Sequence, residues 1–465
     1  MTWQIRTLPD RYADSVRLMG IARALRDHDG VSACEVVMGT PANLSALAAL
    51  GASVEAGPGD VVVAVDGEDG LGDAVLAEVQ RLLVGGGPQS ADRPAPARTL
   101  AAVDAANIAL ISVPGEYATL EAHRALTRGL HVFLFSDHVA LEDEIALKRR
   151  GAEHGLLVMG PECGTAMLAG VGLGFANVVR AGPVGVVAAA GTGAQEVACL
   201  IDAAGSGVSH IIGVGGRDLS AAVGGTMVRQ GLAMLARDDH TETLLLVAKE
   251  PEALDALAGA VPDGMRAVAA LVGWEGDLDG WEVHPTLEAA ALAAAGAAGP
   301  SDDDSAVPAR PGRVLGLFSG GSLAQEACVV LDPLLGTVAT APEAIEGDGH
   351  VVVDLGTERY TQGRPHPMVD LGIRLQMLEA AADDNRTACV LLDVVCGHGA
   401  HADPASELAG AVARAARRAA VVVRVCGTDA DPQDASRQAA TLRDAGAVVA
   451  PSNAAAARLA ARAIA

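Results

Sequence analysis

The sequence predicts a multi-domain α/β protein with a small N-terminal α/β module, a Rossmann-like piece and two flavodoxin-like layers with parallel sheets. Two observations carry this prediction. Short runs rich in Val and Ile alternate with Ala-, Leu-, Arg- and Glu-containing stretches of helical period, as in sheets that helices cover on both faces. A glycine-rich loop also occurs twice, each time between an apolar run and a predicted helix.

Composition excludes several classes of protein. Half of the 465 residues are apolar and the formal net charge is −25, which argues against nucleic acid as a partner. No stretch reaches the roughly 20 uninterrupted apolar residues of a membrane span, and the N-terminus lacks a signal-peptide pattern. Seven cysteines without a Cys-x-x-Cys pair indicate a reduced, cytoplasmic protein with no structural zinc site.

Changes in composition place the domain boundaries. Two Gly/Pro-rich stretches are predicted to be linkers, and a softer boundary lies near Gly182-Pro183. The strand–helix order of the first module is also compatible with a ferredoxin-like fold. The predicted organisation is an N-terminal module at 1–84, a linker at 85–98, a Rossmann-like domain at 99–180, a first ligase-like layer at 181–298, a linker at 299–312 and a second ligase-like layer at 313–465.

The repeated glycine loops are the first candidate binding site. The first loop contains Gly191, Thr192 and Gly193, and the second contains Gly320, Gly321 and Ser322. A strand, a tight turn and a helix start leave free N–H groups, and the helix dipole favours an anion there. The two loops are therefore predicted to hold two phosphate or carboxylate groups. The alternative is an ordinary βα turn, in which glycine only permits close packing.

Each loop leads into Ala-Gln-Glu, and the two chains then continue in step to Asp202 and Asp332. Glu196 and Glu326 fall in the first helical turn, where a carboxylate stabilises the helix dipole. A structural role is expected for both.

Three further loops follow predicted strands. In the first, Gly215 and Gly216 precede Arg217, which either clamps an anion or pairs with Asp218. In the second, Arg359 and Arg364 are expected to neutralise phosphate, and His366, held extended between two prolines, to act as a general acid or base. In the third, His398 either transfers protons or binds an anion, or its loop is a simple turn. Cys163 is expected to be a packed residue.

Two sets of short stretches carry a family resemblance. The first set lies at 108–113, 129–133, 159–164, 185–193 and 213–218 and is similar to succinyl-CoA synthetase alpha subunits. The second set lies at 38–43, 113–117, 135–137 and 397–404 and is similar to the FdrA family, whose members share the synthetase architecture and add a second ligase-like layer. The resemblance to FdrA implies one component of a multi-subunit oxamate carbamoyltransferase, which phosphorolyses oxalurate to oxamate and carbamoyl phosphate in allantoin breakdown.

The sequence departs from the synthetase pattern in two places. Synthetase alpha subunits carry a phosphorylated histidine in a stretch that corresponds to residues 249–273 here, which contain no histidine. No Gly-rich turn followed by a helix start precedes Ile108. An ATP-dependent acyl-CoA synthetase is therefore the second hypothesis, and a non-catalytic metabolite-binding scaffold is the third. Phosphate or carbamoyl phosphate is expected as substrate, CoA or ATP only under the second hypothesis, and other subunits of a hetero-oligomer as partners.

Overall fold

The computed structural model describes residues 3–464 apart from 12, 14, 27–29, 68–70, 85–98, 104, 275, 300–304 and 362–364. The described chain forms two compact units, Met1–Ala97 with Thr361–Pro365, and Arg98–Tyr360 with His366–Ala465. Among the helices of these residues, none combines the length and apolar character that crossing a bilayer would require.

The first unit contains a three-stranded antiparallel sheet. Its elements are β1 (Trp3–Leu8), α1 (Ser15–Arg26), β2 (Val31–Met38), α2 (Pro41–Ala49), β3 (Val61–Gly67) and α3 (Leu71–Val84). The interpretation of the apolar runs as strands of parallel sheets is wrong for the run at 61–65. The strand β3 returns between β1 and β2 and pairs antiparallel with both. Its central position buries both faces, which explains why it lacks the alternation of a half-exposed strand.

The second unit begins with a small parallel sheet of three strands that pair in chain order. A hairpin follows, but it pairs antiparallel with β10 (Val208–Gly213), a strand of the next sheet, through Met167 opposite Ile211. By its hydrogen bonds the hairpin thus belongs to the next layer, although the predicted Rossmann-like domain extended to residue 180. The elements are β4 (Ile108–Ile111), α4 (Gly115–Thr127), β5 (His131–Leu134), α5 (Leu141–Glu153), β6 (Val158–Met159), β7 (Thr165–Leu168) and β8 (Val171–Gly174).

Two parallel five-strand arrangements with the same strand order follow, and they are called the first and the second layer. The first layer consists of β9 (Val184–Ala188), α6 (Gly191–Ala203), β10 (Val208–Gly213), α7 (Thr226–Leu235), β11 (Thr243–Lys249), β12 (Arg266–Val272), β13 (Glu282–His284) and α8 (Leu287–Ala294). Its strand order is β13-β12-β11-β9-β10, to which the hairpin β7–β8 is added.

The second layer consists of β14 (Arg313–Phe318), α9 (Gly321–Leu335), β15 (Val351–Asp354), α10 (Glu358–Thr361), α11 (Gly372–Asp383), β16 (Thr387–Val395), α12 (Pro404–Ala415), β17 (Ala420–Cys426), α13 (Ala435–Asp444), β18 (Val448–Ala450) and α14 (Asn453–Arg462). Its strand order is β18-β17-β16-β14-β15, which repeats that of the first layer element by element. The chain thus contains two copies of one parallel α/β layer, as the repeated loops predicted.

One apolar core joins the layers through the helices α6, α8, α9 and α14. Each glutamate of the Ala-Gln-Glu motifs caps the last helix of the other layer. Glu196 accepts the N–H of Asn453 at the start of α14 (3.0 Å) and pairs with Arg424. Glu326 accepts the N–H groups of Leu287 and Glu288 at the start of α8. Both carboxylates are therefore structural, but they stabilise a helix in the opposite layer.

Candidate functional site

The two glycine loops lie against each other, so the amino termini of α6 and α9 meet. A methyl group placed on Gly320 would lie 2.8 Å from the side chain of Thr192. One placed on Gly193 would lie 3.3 Å from the Cβ of Ser322. Contacts this short require glycine, because any larger side chain would push the helix ends apart. These contacts support the packing role of the glycines, and they are compatible with the predicted anion site at the same helix ends.

Six backbone N–H groups at this junction have no acceptor among the described residues, those of 191–193 and 321–323. Gly191 is exposed, and Thr192 and Gly321 are half-buried, so solvent reaches both helix ends. Both helix dipoles direct positive potential to the same place. The arrangement can therefore hold an oxyanion at each helix end or one larger phosphate-bearing group across both.

A buried ion pair fixes the second glycine loop. The carboxylate of Asp393 accepts the N–H groups of Ser319 (2.8 Å) and Gly320 (2.9 Å). Arg374 pairs with the same carboxylate at 3.0 Å. Because these interactions use the N–H groups before the helix, those inside the first turn of α9 stay free for a ligand.

Lys249 lies at the start of α9 and was missed in the sequence. A methyl group on Gly321 would lie 3.5 Å from its Nζ and 2.5 Å from the Oδ2 of Asp354. Within the described residues Lys249 has no ion-pair partner. Only two of the 33 Lys and Arg residues are lysines, and the other, Lys148, is buried. This scarcity is the signal in the sequence that would have pointed to Lys249.

Two titratable groups with shifted pKa values border the second glycine loop. Burial raises the pKa of Asp354 and lowers the pKa of His366. The Nδ1 of His366 accepts the N–H of Met368 (3.2 Å), so the neutral ring carries its proton on Nε2. A methyl group on Gly356 would lie 2.7 Å from that Nε2 and 2.9 Å from the carbonyl oxygen of Ser319. The predicted residue His366 therefore lies beside the second glycine loop as a neutral hydrogen-bond donor.

The other predicted residues of the second layer lie apart from this arrangement or are engaged elsewhere. Arg359 forms an exposed ion pair with Glu343, which already matches its charge. The side chain of His398 is exposed, and its backbone pairs with Ala176 in a short bridge. Arg364 lies outside the described residues.

In the loop after β10, the structure separates the three residues that were predicted to bind an anion together. Gly216 is exposed beside Ala189, close to the first glycine loop, whereas Gly215 is buried against Pro161. The Arg217–Asp218 pair is not formed. Arg217 pairs with the buried Glu144 at 2.8 Å, because Asp218 is itself buried and engaged with Lys148 and with the N–H groups at the start of α7.

Cys163 is packed, as expected. Burial raises the pKa of its thiol to about 12, so the thiolate needed of a nucleophile is not available at neutral pH.

A cavity of about 770 Å³ extends from the second glycine loop along α9. Its walls come from α9, from the strand ends of the first layer and from β15. The residues that line the cavity include Gly321, Gln325, Val329 and Asp332 of α9, together with Glu250 and Asp354. The cavity is large enough for a small metabolite or a short peptide.

Two family models match the chain. Residues 1–97 match the model described as AllF, heavy metal-associated domain, and residues 317–463 match the model described as CoA-ligase. A stretch of 149 residues is 28% identical to the succinate–CoA ligase (ADP-forming) subunit alpha-2 of Trichomonas vaginalis, covering 31% of this chain and 47% of that subunit. The apo dinucleotide-forming acetyl-coenzyme A synthetase 1 of Ca. Korarchaeum cryptofilum is 15% identical and covers 78% of this chain and 84% of that chain, with a TM-score of 0.35.

The duplicated layers, the CoA-ligase family model and the succinate–CoA ligase relative define an α/β protein with a succinyl-CoA synthetase-like CoA-ligase domain. Uncharacterized protein YahF of Escherichia coli (strain K12) is 35% identical over 501 residues, which cover 97% of each chain. The chain therefore belongs to the YahF family. The finer resemblance to FdrA stays a prediction.

Proposed function

We propose that the chain is a subunit of an enzyme that forms or consumes an acyl phosphate. The observation that carries this proposal is the junction of two helix amino termini with six free N–H groups. An acyl phosphate concentrates negative charge on its phosphoryl oxygens, and fixed N–H donors stabilise such charge without reorganising. A CoA ligase and a carbamoyl phosphate-forming transferase both handle an acyl phosphate.

Two side chains complete the site in this proposal. The ammonium of Lys249 offsets phosphate charge at the start of α9. The Nε2–H of His366 donates to an oxygen that becomes negative as the acyl carbon is attacked. Because burial lowers the pKa of His366, its ring stays neutral at pH 7 and donates without carrying a charge.

The first candidate reaction is phosphorolysis of an oxalurate-like ureido acid to carbamoyl phosphate and oxamate. Phosphate attacks the carbamoyl carbon, the C–N bond breaks, and the oxamate nitrogen takes up the proton that phosphate releases. The FdrA resemblance and the N-terminal match to a model named for AllF support this candidate. The missing histidine in residues 249–273 supports it too, because phosphate then enters as a free substrate.

The second candidate is ATP-dependent acyl-CoA ligation, which the CoA-ligase match and the named succinate–CoA ligase relative support. The described residues offer no evident nucleotide cradle after β4. A methyl group on Gly115 would lie 2.2 Å from the carbonyl oxygen of Asp137, so this turn is packed against protein. Under this candidate, a partner subunit would supply most of the contacts to CoA and ATP.

The partners proposed are the other subunits of a hetero-oligomeric enzyme, since the named relative is itself one subunit of a ligase. A cytoplasmic location is proposed because the number of cysteines is odd and six of the seven are buried in the protein.

The experiment compares the two candidates on the complex purified with its partner subunits. One arm supplies oxalurate and labelled inorganic phosphate and measures labelled carbamoyl phosphate. The other supplies labelled ATP, CoA and a short carboxylic acid and measures protein-bound label and thioester. Formation of carbamoyl phosphate that falls in Lys249→Met at subsaturating phosphate supports the first candidate, and thioester formation supports the second. A complex that binds phosphate but is silent in both arms indicates the scaffold and overturns the proposal.

A further inference from the structure

The cavity along α9 has a counterpart in the first layer. The internal repeat relates α6 to α9 so that Gly191, Gln195 and Asp202 correspond to Gly321, Gln325 and Asp332. In the second layer these three residues line one stripe of α9 that faces the cavity. The residues that contact the same stripe of α6 therefore indicate what kind of ligand the groove along α9 can bind.

In the first layer the groove along α6 is filled by an extended segment of the chain itself, residues 175–180. Asn177 accepts a hydrogen bond from Gln195 at 3.0 Å. Arg180 pairs with Asp202 at 2.9 Å through its side chain and also donates its backbone N–H. The segment is thus anchored at two points along the helix.

The backbone of this segment is held as well. The N–H of Val178 donates to Asp431 and its carbonyl accepts the hydroxyl of Thr428, both at 2.6 Å. Gln195 and Asp202 are seven residues apart on a helix, which spans about 10 Å at 1.5 Å per residue. Asn177 and Arg180 are three residues apart, which spans about 10 Å in an extended chain. The spacing of the anchors is therefore a geometric match.

The second groove keeps the anchors, but no segment of the described residues lies along it as residues 175–180 lie along α6. Gln325 turns its amide to the exposed Glu250 at 2.8 Å. Asp332 accepts the N–H of Val338 through Oδ1 only, which leaves Oδ2 for a cation. Glu250 and Asp332 make the lining beside Gln325 and at the far end of α9 acidic, and Arg359, which also lines the cavity, is paired with Glu343. This charge is complementary to a basic side chain.

We infer that the groove along α9 binds an extended segment of a partner subunit, in which a side-chain amide is followed three residues later by a basic residue. The amide contacts Gln325 or Glu250, and the basic side chain pairs with Asp332. The segment would take the place that residues 175–180 take in the first layer. This surface goes beyond the proposed reaction and does not depend on it.

The test uses the chain's own groove-filling sequence as the probe. A fluorescein-labelled peptide with residues 174–181 is titrated with the full chain, and anisotropy reports binding. The native peptide is expected to bind saturably, and the peptide change Arg180→Gln is expected to weaken binding about tenfold, as for loss of a charge-assisted contact. The variant Asp332→Asn keeps the acceptor for the N–H of Val338. It should bind the native peptide about tenfold more weakly than the wild type does, and the Arg180→Gln peptide should bind it no more weakly than the native peptide does.

Two further variants separate the groove from the rest of the helix. Val329→Trp places a large side chain in the groove and should abolish binding. Leu334→Trp, at an exposed position of the same helix outside the groove, should leave binding unchanged. The inference is overturned by absence of saturable binding of the native peptide, or by equal binding to Asp332→Asn, Val329→Trp and Leu334→Trp. Failure of the reaction tests would leave this result standing.

Discussion

The two layers share one strand order and one motif, yet their surroundings differ. In the first layer the hairpin β7–β8 and residues 175–180 cover the sheet edge and the groove along α6. In the second layer the corresponding groove along α9 is an open cavity. Glu196 also has a cationic partner, Arg424, whereas Glu326 has only neutral donors. The two copies therefore share their core and their helix termini, whereas the groove along the repeated helix is open only in the second copy.

The largest expected effect separates the two capping glutamates. Glu196→Gln leaves the buried Arg424 guanidinium without its charge partner, so unfolding free energy should fall by about 3–5 kcal/mol. Glu326→Gln keeps an acceptor for the N–H groups of α8, and a loss of about 1 kcal/mol is expected. Urea unfolding midpoints of both variants measure the difference. Equal losses would show that the two glutamates are equivalent.

The pH dependence of stability should depend on Glu326 in particular. Burial raises its pKa from 4.5 to about 7, so the folded protein holds a proton that the unfolded chain releases. Its contribution is therefore complete below about pH 4.5 and is lost as pH rises through 7, by about 3 kcal/mol in all. Thermal unfolding of the wild type and of Glu326→Gln between pH 5 and 8 measures this. A variant whose profile matches the wild type would contradict the assignment.

The two predicted histidines should differ in activity. His366→Asn removes the half-buried donor beside the second glycine loop, and a loss of about 100-fold in kcat is expected, against a change within about twofold for the exposed His398→Asn. The assay is whichever reaction of the two candidates the complex catalyses. Unfolding temperature serves as the control for His366→Asn, because the imidazole ring also packs near the ring of Phe175, with the two ring centroids 6.2 Å apart. A larger loss in His398→Asn would move the chemistry to the other loop.

The smallest expected effect concerns phosphate affinity. Lys249→Met removes one point charge at the start of α9, and calorimetric titration with inorganic phosphate should show about tenfold weaker binding. Arg237→Met is the matched control, since it also removes one positive charge but precedes β11, at the opposite ends of the parallel strands. Equal weakening in both variants would indicate only a general effect of net charge.

Much of the architecture follows from local pattern. The repeat of a glycine loop and Ala-Gln-Glu after an apolar run predicted two related layers, and both have the same strand order. The antiparallel pairing of β3 was not predictable, because a strand buried on both faces shows the same apolar run in either orientation. The hairpin β7–β8 was assigned to the preceding domain, since strand partners far apart in sequence leave no local trace.

The candidate site was predicted in part. The loop residues and His366 come together, whereas Arg217 and Arg359 are engaged in ion pairs and His398 is separate. Lys249 was missed because it ends an ordinary apolar strand, and only its rarity in the composition marks it.

The sequence by itself determined the alternation of strands and helices, the duplication and the glycines at the helix starts, because periodicity and backbone freedom are local properties. Only the tertiary structure decided that the two helix starts meet, that each glutamate caps the other layer and that one groove is filled and the other open. Those outcomes depend on contacts between residues more than 100 positions apart, such as Asn453 with Glu326 and Asn177 with Asp431. Such pairings are selected by shape and charge in the packed core.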